Sequence, residues 1–206
     1  MSEKHIVAVP FEEGAVKNLK AGDYIYLTGT IYSARDAAHK RMYDAILKAQ
    51  ADGVIDEGAD AKELFDKGIL PLDLTGQTLY YLGPTPAKPG QVIGSAGPTT
   101  SSRMDKYTPL LLDKGLCGML GKGKRSQTVI DSIVENEAVY MAAVGGAGAL
   151  LSKCIKESEV LAYEDLGTEA IRKMRVENLP VIVVIDSQGN NLYETAVEAY
   201  QASCRS

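Results

Sequence analysis

The sequence has few of the residues that build disulfide or zinc sites. Its 206 residues include three cysteines, Cys117, Cys154 and Cys204, which are odd in number, far apart and without a C-x-x-C pair. This spacing argues against a disulfide framework and against a zinc site. Three thiolates could hold an iron–sulfur cluster if folding brought them together, but Cys154 lies in a helix-like run and Cys204 in the last three residues. The cysteines alone therefore predict no metal site.

Long apolar runs and an excess of positive charge are also missing. No stretch approaches about eighteen consecutive apolar residues, and residues 1–5 lack the charged-then-apolar pattern of a secretory signal. The net charge of −5 argues against general binding to nucleic acid or to an anionic membrane. We therefore expect one cytoplasmic domain spanning residues 1–206, in which any basic site is local.

A run of hydroxyl residues stands out at the centre of the chain. Gly97 and Pro98 lead into Thr99, Thr100, Ser101 and Ser102, and Arg103 follows. Any of the hydroxyl residues can cap the helix that we predict over residues 103–114, with a kink at Pro109. Unpaired backbone N–H groups, hydroxyl donors and a guanidinium together suit a carboxylate or a phosphate. An ordinary helix cap beside a solvated arginine is the equally open alternative.

A strand-to-helix turn follows the second predicted strand. Tyr24, Tyr26 and Thr28 alternate with Ile25, Leu27 and Gly29, which predicts a strand over residues 23–30, and apolar residues then recur at helical spacing from 33 to 51. Gly53 ends that helix. This strand-to-helix turn places Thr30, Ser33 and Arg35 near the amino end of the helix.

A glycine-rich basic segment, residues 115–125, resembles a phosphate loop at first sight. The Walker pattern fails whether Lys122 or Lys124 is taken as its lysine, because Gly123 or Arg125 stands where a hydroxyl must follow. Both lysines remain candidate anion donors, with flexible solvated side chains as the alternative. We expect a helix from Ser126 or Gln127 to Glu135.

The remaining pattern alternates strands and helices without a strict βαβ rhythm, which predicts an α/β fold with a mixed sheet flanked by helices. Further predicted elements are a short helix and a hairpin-type turn at 186–190. The predicted strands span residues 5–10, 77–82, 91–96, 139–144, 160–163 and 179–185, and the short helix spans 168–175.

Three segments together are more specific than any one alone: residues 29–41, 97–105 and 118–123. In this order they resemble the beta subunit, or carboxyl-terminal domain, of the iron–sulfur-dependent class I fumarase and tartrate dehydratase family. The resemblance covers most of the chain, including 163–167 and the hairpin at 181–193. It implies a swivelling β/β/α domain and a hydro-lyase that hydrates fumarate reversibly to (S)-malate.

The resemblance also implies roles for particular residues. Arg35, Arg103 and Lys122 match substrate carboxylate-binding positions, and Thr99 matches the proposed proton-abstracting threonine, although Thr100 could be the one that matters. Asp36 and His39 lie beside Arg35, and we favour structural roles for both. Cys117 stands at a place that the chemistry does not need.

The implied cofactor is a [4Fe–4S] cluster that is ligated by a partner alpha subunit and not by this chain. The implied assembly pairs two alpha with two beta subunits. Tartrate or mesaconate could replace fumarate, since all are dicarboxylates. Two other hypotheses are a stand-alone anion-binding module that uses residues 99–103 and 121–125, and a purely structural subunit.

Overall fold

The computed structural model describes residues 4–143 and 148–196, whose strands and helices alternate along the chain. The strands are β1 Ile6–Val9, β2 Tyr24–Ser33, β3 Thr78–Tyr80, β4 Gly118–Gly121, β5 Val139–Ala143, β6 Ile155–Ala162 and β7 Ile171–Ile185. The α-helices are α1 Asp36–Ala51, α2 Ala61–Asp66, α3 Thr108–Asp113, α4 Gln127–Glu135 and α5 Gly148–Cys154, and 3₁₀ turns span Ala15–Asn18, Ser101–Met104 and Glu164–Glu169. No helix in this part of the chain is long and apolar enough to cross a bilayer.

The seven strands form one mixed sheet in the order β1-β2-β3-β4-β5-β7-β6, and an additional pairing joins β2 to β7. Strands β2, β3, β4, β5 and β7 therefore close into a ring. Neighbours from β1 to β5 run parallel, whereas β7 runs antiparallel to β2, β5 and β6. The predicted α/β class, with a mixed sheet flanked by helices, is confirmed.

Alternation along the strands divides the core into two clusters. Tyr80, Leu120 and Met141 belong to a cluster to which all five ring strands contribute, so it fills the inside of the ring. Their neighbours Tyr81 and Met119 belong to the other cluster, which packs against α1, α3 and α4. Because successive strand residues point to opposite faces, one sheet buries both an inner and an outer apolar surface.

Helix α1 forms where the spacing of apolar residues predicts it. Ala38, Met42 and Ile46 recur every four residues and are fully buried. Gly53, with φ of 68°, follows the helix in the left-handed region that glycine adopts without strain. The helix begins at Asp36, three residues later than the predicted start, because β2 continues to Ser33.

The predicted helix over residues 103–114 is wrong in its continuity. A 3₁₀ turn at Ser101–Met104 precedes a separate helix, α3, that begins at Thr108. Pro109 lies in the first turn of α3, where no helical partner is needed for its missing N–H. It therefore helps to start the second helix instead of kinking a longer one.

Two other element predictions are also wrong. Residues 91–96 form no strand, because backbone bonds hold the loop to itself: Thr85 N donates to Ser95 O at 3.3 Å. Residues 168–175 are not a helix, because residues from Ile171 onward pair with β2 on one side and β6 on the other. The predicted strand at 160–163 is the end of the longer β6. The sequence also predicts that a glycine run at 145–148 leads into a helix and that the tail from Glu194 is helical; residues 144–147 and 197–206 lie outside the described part of the chain.

Candidate functional site

The carboxyl ends of the parallel strands β2, β3 and β4 bring the predicted site residues to one edge of the sheet. Arg35 lies two residues beyond β2. Thr99 donates its backbone N–H to the carbonyl of Tyr81, immediately after β3, at 2.8 Å. Lys122 directly follows β4 and forms a bridge with Thr100. Ligands of α/β sheets commonly bind beyond the carboxyl ends of parallel strands, so this placement favours a shared site.

Asp36 connects the two predicted substrate-binding arginines. Its Oδ2 accepts a hydrogen bond from Arg103 Nη2 at 2.7 Å, and its Oδ1 lies 3.6 Å from Arg35 Nη2. The Arg35 side chain is 20% exposed and that of Arg103 is 50% exposed. The guanidiniums of the adjacent Arg35 and of Arg103, which lies 67 residues from Asp36 in the chain, thus share one carboxylate at the amino end of α1.

Arg35 is also held from a segment that the sequence did not indicate. Glu169 Oε1 lies 3.2 Å from Arg35 Nη2, and Glu169 Oε2 accepts from the backbone N–H of Ala37 at 3.1 Å. A Cβ on Gly83 would lie 2.7 Å from Arg35 Nη1, so only glycine leaves room for this course of the arginine. The buried Arg35 Nε has no hydrogen-bond partner among the described residues. Such an unsatisfied buried donor is uncommon and calls for an explanation, of which a functional role is one.

Hydrogen bonds fix the segments that carry Thr99 and Lys122 to each other. Ser101 N donates to Lys122 O at 2.9 Å, and Lys122 N donates to Ser101 Oγ at 3.1 Å. The Ser101 hydroxyl also bonds the Tyr140 hydroxyl at 2.8 Å, and Tyr140 donates to Gly123 O at 2.8 Å. The Lys122 side chain stays exposed and Thr99 is half-buried. The backbone is therefore rigidly held while the functional groups remain accessible.

Arg125 does not extend this basic surface, because its side chain is completely buried. Its Nε donates to Asp105 Oδ1 at 2.7 Å and its Nη2 to Thr108 Oγ1 at 2.8 Å. The guanidinium lies over the rings of Tyr81 and Tyr140, 5.4 and 5.1 Å from their centroids. Arg125 thus stabilises the protein beneath the site, and of the basic residues in 121–125 only Lys122 and Lys124 are exposed.

His39 lies below Arg35 in the same core. Its Nδ1 is 2.9 Å from the backbone carbonyl of Arg35, and its ring meets that of Tyr81 edge-on at 5.1 Å. Burial lowers the pKa of His39 to about 4, because a charged imidazole is poorly solvated there. At neutral pH His39 is therefore neutral, so Nδ1 donates its proton to the Arg35 carbonyl.

The described cysteines do not fit an iron–sulfur cluster. Cys117 lies at the amino end of β4, away from the edge that carries Lys122, and burial raises the pKa of its thiol to about 11. The Cys154 thiol donates to Asn178 O at 3.7 Å. Cluster ligands are thiolates brought together in a group, and the described ranges contain no group of three or more potential metal ligands.

Two of the predicted site residues, Arg103 and Lys122, are exposed to solvent. Four cavities in the described part of the chain have volumes of about 250, 370, 430 and 590 Å³, and none is lined by Arg35, Thr99, Arg103 or Lys122. A small anion at this edge would keep contact with water, which weakens electrostatic interactions. The arrangement is that of one half of a site, with cations and a hydroxyl along an uncovered edge.

Comparison with known proteins matches most of the chain to one family. Residues 3–196 match the family model described as Fumarase C-terminus. The chain is 38% identical over 181 residues to the anaerobic class I fumarate hydratase of Escherichia coli, and the aligned residues cover 86% of this chain and 30% of that protein. It is 32% identical over 200 residues to a putative class I fumarate hydratase of Geobacillus stearothermophilus, covering 94% of this chain and 34% of that protein.

A third relative has a similar length. The putative L(+)-tartrate dehydratase subunit beta of Methanocaldococcus jannaschii is 35% identical over 185 residues, which cover 87% of this chain and 86% of that protein. The chain therefore spans about a third of the fumarate hydratases and most of this subunit.

Proposed function

This chain belongs to the Fumarase C-terminus family, and on that premise we propose that it is the beta-subunit part of a two-subunit hydro-lyase. The preferred reaction is the reversible hydration of fumarate to (S)-malate. The observation that carries this proposal is the edge where Arg35, Arg103 and Lys122 accompany Thr99. Three cations at one edge suit the binding of a substrate that carries two negative carboxylates.

The arginines suit the recognition of carboxylates. A guanidinium is planar and can donate two parallel hydrogen bonds to a carboxylate. Arg35 and Arg103 lie against the same Asp36, so their guanidiniums are neighbours and can contact one substrate together. In this proposal they bind its carboxylates, and Lys122 adds a third charge from the end of β4.

Thr99 is proposed to remove the proton from the carbon beside a carboxylate. The hydroxyl is a weak base, so this step requires nearby cations that stabilise the alkoxide and the negative charge that develops on the substrate. Lys122 and Arg103 are the candidates for these cations. Arg103 follows the Thr99–Thr100 segment in the chain, and Lys122 lies beside it across the Thr100–Lys122 bridge. Preorganised groups of this kind are worth roughly 3 kcal/mol each in a closed site.

The open edge implies that another surface must cover the substrate. We propose that a partner alpha subunit does so and that it ligates the [4Fe–4S] cluster, since the described cysteines of this chain do not fit one. When bound, such a cluster supplies a Lewis acid for the substrate hydroxyl. We also propose an assembly of two alpha and two beta subunits, which the family resemblance implies.

The test is turnover by the chain recovered anaerobically with its native partner, compared with the same chain stripped of it. The proposal expects fumarate hydration only in the assembly and its loss on exposure to air. Turnover by the stripped chain would contradict the two-subunit proposal.

An active Thr100→Val variant beside an inactive Thr99→Val variant, both assembled, would support Thr99 as the base; the reverse would transfer that role to Thr100.

Tartrate dehydration is the second candidate, favoured by the similarity to the tartrate dehydratase subunit over most of its length. Either dicarboxylate, fumarate or tartrate, would be bound by Arg35, Arg103 and Lys122. Ratios of kcat/KM for fumarate, L(+)-tartrate and mesaconate, measured on one preparation, separate the three substrates. A clear preference for tartrate would replace fumarate without changing the proposed roles of these residues.

A further inference from the structure

We propose that Asp36 is a positioning residue that holds the guanidinium of Arg103 beside that of Arg35 in the orientation that grips a dicarboxylate. This inference rests on the proposed function, because it concerns how the same site binds its substrate. Asp36 itself is not assigned a contact with the substrate. It would act through the two arginines.

The contact to Arg103 leaves most of that guanidinium available. Asp36 Oδ2 engages Nη2 at 2.7 Å, and the described residues offer Arg103 no other side-chain hydrogen bond or ion pair. A guanidinium has five N–H donors in a planar fork, so this one contact restrains the side chain and leaves the other donors for a second carboxylate. Asp36 thus orients Arg103 without consuming its binding capacity.

Asp36 is well placed to be the fixed member of the pair. It is the first residue of α1, which is anchored by the fully buried Ala38 and Met42. Its Oδ1 is buried and has no hydrogen-bond partner among the described residues, although Arg35 Nη2 lies 3.6 Å away. A carboxylate with one free buried oxygen is costly to retain for stability alone. Its position between the two arginines gives that cost a functional reason.

Arg103, in contrast, depends on this contact for its order. It belongs to a short 3₁₀ turn, and its side chain is half exposed. Without Asp36 the long side chain would sample many rotamers and would have to be ordered when substrate binds. Ordering such a side chain weakens binding by up to about tenfold.

The negative charge of Asp36 weakens substrate binding, whereas its ordering of Arg103 strengthens it. The direction in which the substrate affinity changes on substitution therefore tests the inference. A carboxylate near a substrate dianion repels it, so a residue that mattered only through charge would allow tighter binding once neutralised. A positioning residue predicts weaker binding instead. The conservative Asp36→Asn variant keeps an oxygen that accepts from Arg103, whereas Asp36→Ala keeps none.

The experiment compares Asp36→Ala, Asp36→Asn and Asp165→Asn in the intact assembly under anaerobic conditions. Asp165 is the matched control, since it pairs with Arg41 of the same helix through two hydrogen bonds of 2.7 Å. Measured quantities are KM and kcat for fumarate and, by calorimetry, the Kd of succinate, a saturated dicarboxylate that cannot be hydrated. Thermal unfolding confirms that each variant is folded.

For Asp36→Ala we expect KM and the succinate Kd to rise about tenfold, with kcat reduced less than about threefold because Arg103 is already ordered once the substrate is bound. Asp36→Asn should lose about threefold by retaining the hydrogen bond, and Asp165→Asn should match the wild type. Unchanged or tighter succinate binding in Asp36→Ala, or an equal loss in Asp165→Asn, would overturn the inference. If no variant or wild-type assembly hydrates fumarate but succinate binding still weakens as expected, the substrate assignment fails while the role of Asp36 stands.

Discussion

The Glu169 carboxylate joins Arg35 to the helix that begins beside it. One oxygen lies 3.2 Å from Arg35 Nη2, and the other accepts from the Ala37 backbone N–H at 3.1 Å. No side chain of the preceding residue caps α1, so Glu169 takes that role from the 3₁₀ turn before β7. The Glu169 carboxylate thus both caps helix α1 and orients the side chain of Arg35.

Replacing Glu169 with Ala should lower the free energy of unfolding by about 1 kcal/mol, the usual cost of losing a helix cap. Glu169→Gln should lose less, because its amide oxygen can still accept from Ala37 N. Chemical denaturation measures both. Glu164→Gln, on the same 3₁₀ turn, is the control and should stay within about 0.5 kcal/mol. Equal stabilities of the Ala variant and the wild type would refute the capping role.

Arg125 supports the site from inside the protein, and its removal should be far more costly. Arg125→Met leaves Asp105 without its buried partner and should lower the free energy of unfolding by about 3 kcal/mol. Arg125→Lys should not restore it, since an ammonium cannot reproduce the planar contacts with Asp105, Thr108 and Tyr81. Urea unfolding tests this, with the exposed neighbour Lys124→Met as control. A loss for Lys124→Met as large as for Arg125→Met would contradict the interpretation.

Burial of neutral His39 makes stability depend on pH. Its pKa is about 4 in the folded protein and 6.5 in its ordinary state, so the unfolded chain takes up the proton first as the pH falls. The contribution of His39 to stability is therefore complete above pH 6.5 and is lost progressively toward pH 4, by about 3 kcal/mol in total.

Unfolding free energies between pH 7.5 and 4.5 check this. His39→Leu cannot titrate and should show a shallower decline than the wild type over that interval. The only other histidine, His5, is exposed near the start of β1, and His5→Gln should follow the wild-type slope. Parallel curves for His39→Leu and the wild type would show that the buried imidazole is not the cause.

The sequence pattern located those parts of the site that follow from local chemistry. The alternation of Ile25 and Leu27 with polar neighbours predicted β2, and the apolar spacing of α1 predicted the helix that begins beside Arg35. Glycines and hydroxyl residues marked the loops that carry Thr99 and Lys122. Because these loops end neighbouring parallel strands, they meet in the folded chain.

Contacts between distant segments could not be predicted in the same way. Glu169 reaches Arg35 only because β7 pairs along β2 in a particular register, and nothing near Glu169 in the sequence indicates that pairing. The polar residues of 168–175 suggested a helix, since a strand in which Lys173 and Arg175 are exposed lacks a strong apolar pattern. Arg125 was grouped with an anion site, because its burial depends on two rings that are distant in sequence, Tyr81 just after β3 and Tyr140 of β5.

The arginines at the edge of the sheet are proposed to bind the substrate of a hydro-lyase. The measurement that tests this is kcat/KM of the anaerobic assembly carrying Arg103→Met, compared with that of the assembly carrying Arg41→Met. Arg41 is the control because its guanidinium lies in the same neighbourhood and pairs, among the described acidic side chains, only with Asp165. We predict a loss of about 100-fold or more for Arg103→Met, with the partner and its cluster retained, and near wild-type activity for Arg41→Met. An Arg103→Met assembly that turns over substrate as fast as the Arg41→Met control would contradict the account.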